Sequence, residues 1–110
     1  PDAEYRLHTG ALRARIEATI DRSLQDGVVN IDGQRTGGLL EMSFPNGSKI
    51  VLNTQPPLRE LWLAARSGGF HYKFVAGAWR DTRSGRELFD ALSACASEQA
   101  AKTLQFTAPG

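Results

Sequence analysis

The chain has 110 residues, with thirteen Lys and Arg against twelve Asp and Glu and a formal net charge of +1. That is one domain with one core, and the charge balance lacks the basic footprint of a nucleic-acid surface. Hydrophobic residues at 41% and charged residues at 23% suit a soluble globular protein, and no apolar run approaches the ~20 residues that span a bilayer. Charges scattered through residues 1–15 argue against a signal peptide. Cys95 is the single cysteine, so no intrachain disulfide can form and a reducing cytoplasm is the expectation.

Residues 2 to about 24 are predicted as a helix, with Asp2 as N-cap and Glu4 complementing the dipole. Tyr5, Leu12, Ile16, Ile20 and Leu24 recur at steps of four and seven and form one buried stripe. Gly10 costs that helix about 1 kcal/mol relative to alanine. Asp26-Gly27 stops it. A strand is predicted over Val28–Asp32, followed by a loop bracketed by Gly33, Gly37 and Gly38. Leu39–Phe44 and Lys49–Asn53 alternate around Asn46-Gly47, the sequence of a hairpin with a type I′ turn. Pro56-Pro57 removes ladder donors. Glu60–Ala65 then resumes the alternation, Leu61 and Leu63 facing one way and Trp62 and Ala64 the other. Ser67-Gly68-Gly69 turns the chain into Phe70–Val75, with Phe70, Tyr72 and Phe74 inward. A short strand around Trp79 follows Gly77. Ser84-Gly85-Arg86-Glu87 reads as a capping box for a helix to about Lys102, with Leu88, Leu92, Cys95, Ala96 and Gln99 on one stripe. The tail after Phe106 is expected to fray.

Short loops make consecutive strands antiparallel neighbours. The fold class is therefore α+β: a two-layer α-β sandwich over residues 1–110, with N- and C-terminal helices on one face of a five- to six-stranded antiparallel sheet. The open face carries Glu41, Ser43, Val51, Asn53, Trp62, His71 and Lys73.

No catalytic motif or nucleotide-binding glycine loop is present. His8 and His71 give no zinc-type spacing. Cys95 on an apolar stripe is a buried thiol, with a Cys95–His71 nucleophile–base pair as the alternative. Trp62, outward on its strand, suits a docking surface; the alternative is packing under Pro56-Pro57. The acids Glu17, Asp21, Asp26 and Asp32 are candidates for a hard cation such as Mg²⁺, Ca²⁺, Mn²⁺ or Fe²⁺, against the alternative of a solvated helix face. Tyr5 and His8, three apart, are a further candidate for a metal or haem iron. Arg80, Arg83 and Arg86 cluster where an acidic partner can dock.

The run Asn46-Gly47-Ser48-Lys49-Ile50, then Asn53, Gln55 and Pro57, then Leu61-Trp62-Leu63-Ala64, then Gly68-Gly69-Phe70-His71-Tyr72, then Trp79 and Arg83-Ser84-Gly85, resembles the frataxin family, its bacterial branch above all. The likeness covers nearly the whole chain in the right order. It implies a non-enzymatic iron-binding protein of iron–sulfur cluster assembly, acting as iron donor or iron-dependent regulator. Its implied partners are the cysteine desulfurase and the iron–sulfur scaffold protein, with no nucleic acid and no membrane. The implied state is a monomer or a metal-dependent oligomer. The family's acidic ridge for ferrous and ferric iron maps onto Glu17, Asp21, Asp26 and Asp32, with Asp2 and Glu4 as outliers and His8 as another possible ligand. Its exposed sheet surface maps onto Asn53, Gln55 and Trp62. Ala18 and Arg22 occupy positions commonly acidic in relatives, so weak iron affinity is expected. A docking module with incidental metal or haem binding is the alternative function.

Overall fold

The computed structural model describes residues 2–109. Helix α1 spans Asp2–Gln25 and buries Tyr5, Thr9, Leu12, Ile16 and Ile20 along the predicted stripe. Gly10 does not interrupt it, because tertiary burial outweighs a propensity cost of about 1 kcal/mol. Leu24 departs from the stripe and is 54% exposed, since the last helical turn carries it away from the core. The next buried apolar residue is Ile31, 5% exposed.

Six strands follow in the order β1-β2-β3-β4-β5-β6, every neighbour antiparallel. They are β1 Asp32–Thr36, β2 Leu39–Ser43, β3 Lys49–Gln55, β4 Glu60–Ala65, β5 Gly68–Val75 and β6 Ala78–Asp81. The first strand lies four residues later than Val28–Asp32. Val28–Ile31 is instead a connection from helix to sheet, and Lys102 Nζ donates to the Val28 carbonyl within it. Gly33 lies inside β1, leaving Gly37-Gly38 as the turn.

The β2–β3 hairpin is present, but its turn is not type I′. Pro45 fixes a negative φ, and only Gly47 in the turn is positive, at 87°. The Gly47 amide donates to the Phe44 carbonyl and the Phe44 amide to the Ser48 carbonyl, both at 2.9 Å. That is the longer hairpin loop in which glycine follows an ordinary turn. The two-residue turn with two positive φ angles lies at Ala76-Gly77, φ 51° and 83°, between β5 and β6.

Helix α2 spans Leu88–Ala100. The capping box at Ser84 is not formed. Glu87 is extended, φ −73° and ψ 140°, and is itself the N-cap, its carboxylate accepting from the Phe89 and Asp90 amides. It is held extended because Arg80 bridges it to β6, which leaves Ser84 in the loop, accepting from the Arg86 amide. The helix closes at Ala101 rather than Lys102.

Both helices cover one sheet face. Leu40, Met42, Ile50, Leu52, Leu61, Leu63, Tyr72 and Trp79 meet the α1 stripe and Leu88, Phe89, Leu92, Cys95 and Ala96 of α2 in a single core. Each such large apolar side chain contributes about 1.5–3 kcal/mol. Phe70 and Phe74 are only half-buried at its edge. Gln99 is the polar tie: its Nε2 donates to Ser48 Oγ and the Lys49 carbonyl, and its Oε1 accepts from the Arg66 amide. The C-terminal segment returns along α2. Ser97 Oγ donates to the Leu104 carbonyl and accepts from the Leu104 amide. Ser93 does the same with Phe106. Beyond Phe106 the chain does not simply fray, for Ala108 is partly buried against the core.

Candidate functional site

The strand register builds the open face in rows. One row crosses the sheet as Leu39, Asn53, Trp62 and His71; the next joins Gln55, Glu60 and Lys73. The indole of Trp62 stacks on the His71 imidazole, centroids 4.2 Å apart and planes 7° from parallel. Its Nε1–H donates to Glu60 Oε1 at 2.8 Å. The same carboxylate lies 3.7 Å from His71 Nδ1 and 3.9 Å from Lys73 Nζ. Glu60 thus contacts three side chains at once, and the Trp62 ring is held face to face with the His71 imidazole. The next row is Val51, Ala64 and Gly69, whose small side chains leave a shallow groove of about 240 Å³ along the Trp62–His71 stack. Asn53, Gln55 and Trp62, half-buried side by side, form one surface.

Helix α1 sets the end of this surface. The Tyr5 hydroxyl donates to the Glu60 carbonyl at 2.6 Å and accepts from the Gln55 amide at 3.0 Å. It stands between two register partners of β3 and β4, where the single 3-10 turn at Pro56–Leu58 opens the ladder. Burial raises the Tyr5 pKa above 10.0, against the lowering effect of the Gln55 bond. The phenol is therefore a neutral donor at physiological pH.

The acidic candidates are placed differently. Glu17 Oε1 is taken by Arg35 Nη2 at 2.6 Å. Asp26 pairs with Arg22 at 3.5 Å, one turn apart on the same helix. Asp2 pairs with Arg59 at 3.0 Å. Asp21 and Asp32 have no ion pair among the described residues. Asp32 pairs in register with Ser43, on the open-face alternation of β1, rather than beside α1. Among the described residues, no three His, Cys, Asp or Glu side chains are grouped to hold a metal ion. A tight carboxylate cage does not fit this arrangement, since such a site needs several oxygens converging without a competing cation.

Tyr5 and His8 do not present a shared ligand set. The Tyr5 hydroxyl is engaged within the sheet, and the His8 ring stacks on Phe74, centroids 3.8 Å apart. Cys95 is buried with Sγ 3.4 Å from Ser67 Oγ. His71 faces outward beside Trp62, across the sheet from α2, so the Cys95–His71 pair is excluded. Sequence reasoning named neither Glu60 nor Arg35 as organising residues. The signal for Glu60 was available: an acid two positions before an outward tryptophan on a strand shares its face.

The family model for the frataxin-like domain matches residues 1–102. Relatives from Burkholderia mallei and Burkholderia pseudomallei, both described as iron-sulfur cluster assembly protein CyaY, are 49% identical over 107 residues, covering 97% of this chain and 98% of each relative. The solved frataxin of Psychromonas ingrahamii superposes with a TM-score of 0.86 at 36% identity, over 96% of this chain and 97% of its own. Yeast frataxin, at 22% identity, shares the fold with a TM-score of 0.74 over 92% of this chain and 84% of its own. With the helix–sheet–helix order and these matches in agreement, the chain belongs to the frataxin/CyaY family, whose members are not enzymes.

Proposed function

We propose that the chain acts in iron–sulfur cluster assembly, in the cytoplasm, by docking on the cysteine desulfurase and its scaffold protein through Asn53, Gln55 and Trp62. The observation that carries this reading is the Trp62–His71–Glu60 arrangement. A large aromatic ring is fixed on an open sheet face by a hydrogen bond and a stack, so little side-chain entropy remains to be lost on binding. Central aromatic anchors of this kind carry most of the affinity of an interface. The 49% identity to cluster assembly proteins supports the process.

Iron enters this reading as cargo or regulatory signal, bound weakly. Of the four candidate acids, Asp21 and Asp32 have no ion pair among the described residues and can receive it directly, while Glu17 and Asp26 must first leave their arginines. The chain then modulates the desulfurase in response to iron rather than storing the metal. The test is the rate of cluster formation by desulfurase and scaffold, with and without the chain, across a range of Fe²⁺ concentrations. An iron-dependent change in rate that Trp62→Ala and Asn53→Ala abolish is the expected result. Identical rates with and without the chain at every iron level would sink the proposal.

A further inference from the structure

Three arginines, Arg80, Arg83 and Arg86, fall within seven residues at the end of β6 and in the loop after it. Arg80, Arg83 and Arg86 are all exposed. Among the described residues, no acid lies within ion-pair distance of any of them; the same is true of Arg6, Arg13, Arg15, Arg66 and Lys102, but those are scattered along the chain. Asp81, the one acid in this stretch, is committed elsewhere. Its Oδ1 accepts from the amides of Arg83 and Ser84 at 2.7 and 3.1 Å.

The loop that presents these arginines is rigid. The Asp81 amide donates to the Arg86 carbonyl, and the Gly85 amide to the Asp81 carbonyl. The Arg86 amide donates to Ser84 Oγ, and Arg80 Nη1 donates to the Gly85 carbonyl at 3.4 Å. The Thr82 amide donates to the His71 carbonyl, which ties the loop to the strand that carries the Trp62 stack. Between them runs a groove of about 300 Å³, lined by Phe70, His71, Asp81, Thr82, Arg83 and Ser84 among others, whereas Arg86 borders a separate groove against α2 with Cys95 and Glu98. It is continuous with the docking face through His71, which also lines the groove along the stack.

The chemistry discriminates between anions. A single phosphate is usually held by successive free backbone amides forming a nest. Here the amides of Arg83, Ser84 and Arg86 are already consumed by Asp81 and Ser84. What remains is cationic side chains spread along a fixed loop, a pattern that matches several carboxylates along an extended chain.

We propose that the 80–86 loop and its groove form a second docking site, adjoining Trp62, for an acidic polypeptide segment of the partner. This rests on the docking role proposed above and adds the chemistry and orientation of the partner: its acidic stretch lies over β5–β6, away from the acids of α1 and β1. Charges at the rim of an interface act mainly on the association rate and its salt dependence, whereas a buried aromatic acts mainly on dissociation.

The test is the association and dissociation rates of the chain with the desulfurase–scaffold complex at low and high salt. Wild type is compared with Arg83→Glu/Arg86→Glu, with Trp62→Ala, and with Arg6→Glu/Arg15→Glu, which reverses two exposed charges on α1. Circular dichroism and thermal melting establish that each variant is folded. At low salt the Arg83/Arg86 variant associates about tenfold more slowly, and the gap closes at high salt. The α1 control changes by less than about twofold. A ten-residue polyglutamate peptide slows association of wild type but not of the Arg83/Arg86 variant. An Arg83/Arg86 variant equal to the α1 control overturns the inference, as does polyglutamate without effect. Inorganic phosphate competing as well as polyglutamate overturns the assignment to an extended acidic segment. Faster dissociation of Trp62→Ala beside an unchanged Arg83/Arg86 variant removes only the basic site. Unchanged rates in both remove the docking role together with it.

Discussion

The acidic flank of α1 and β1 and the open face of β3–β5 belong to one small protein, yet they dispose of their polar groups in opposite ways. On the acidic flank, two of the four candidate carboxylates are neutralised within the chain, Glu17 by Arg35 and Asp26 by Arg22. On the open face, the pairings serve to aim a side chain. Glu60 holds Trp62 by its indole N–H, and the free surface of the ring remains available. An internal ion pair must be broken before Glu17 or Asp26 binds a metal, whereas a positioned ring needs no rearrangement before a protein is bound. In the proposed function, this difference ranks docking above iron binding.

The sharpest way to break the comparison is Trp62→Ala. Loss of a central aromatic is expected to cost about 2 kcal/mol of binding to the desulfurase–scaffold complex, or roughly thirtyfold in Kd. Titration calorimetry measures this, and because Trp62 is only half-buried the unfolding midpoint in urea should barely move. Tyr5→Phe links the two regions. It removes a hydroxyl that bonds both β3 and β4, and is expected to lower stability by about 1–2 kcal/mol in urea unfolding. It should also weaken docking modestly, because Gln55 and Glu60 lose their shared anchor. Arg35→Gln sharpens the contrast from the other side. It frees Glu17, and the affinity for Co²⁺ as an Fe²⁺ surrogate, followed by paramagnetic NMR, should rise a few-fold while stability changes by less than about 0.5 kcal/mol. A wild-type response already centred on Glu17 would contradict the pairing argument.

The smallest effect is expected beneath the sheet. Tyr72 is fully buried and its hydroxyl has no hydrogen-bond partner among the described residues. Desolvation, then the nearby Asp81, raise its pKa from the ordinary 10.0. The folded state holds this proton more tightly than the unfolded chain, so the associated stability is complete below pH 10.0 and is lost progressively as pH rises above it. Tyr72→Phe removes an unpartnered polar group. Near pH 7 it should change stability by less than about 0.5 kcal/mol, and above pH 10.0 its melting temperature should fall less steeply than that of wild type.

The sequence was informative where side chains alternate and uninformative where the backbone alone decides. In β2 to β4 every buried position follows the period-two pattern, and the polar residues left on the outer face include Asn53 and Gln55 of the proposed docking surface. Strand β1, with the sequence Asp32-Gly33-Gln34-Arg35-Thr36, is exposed at all five positions. Its pairing with β2 is a matter of backbone register at a sheet edge, so the apolar Val28–Ile31 attracted the prediction instead. The start of α2 failed for a related reason. Ser84 and Glu87 have the spacing of a capping box, but the bridge from Arg80 to Glu87 reaches outside the four-residue motif, which does not report it. The same holds for the acids. Their types and order are readable, whereas the Arg35–Glu17 contact spans eighteen positions and depends on β1 lying beside α1.

The serines of α2 carry one further consequence. Ser93 and Ser97 are four residues apart on a helix, a rise of about 6 Å. Leu104 and Phe106 are two apart in extended chain, about 6.6 Å. The two repeats are nearly commensurate, so the helix works as a ruler against which the returning segment is measured, each hydroxyl standing in for the facing backbone of a sheet partner. Lengthening the segment by one residue between Leu104 and Phe106 would set the hydroxyls out of step and turn one of the two apolar side chains into water. The closure of the core at that end is thus a matter of matched lengths as much as of apolar composition.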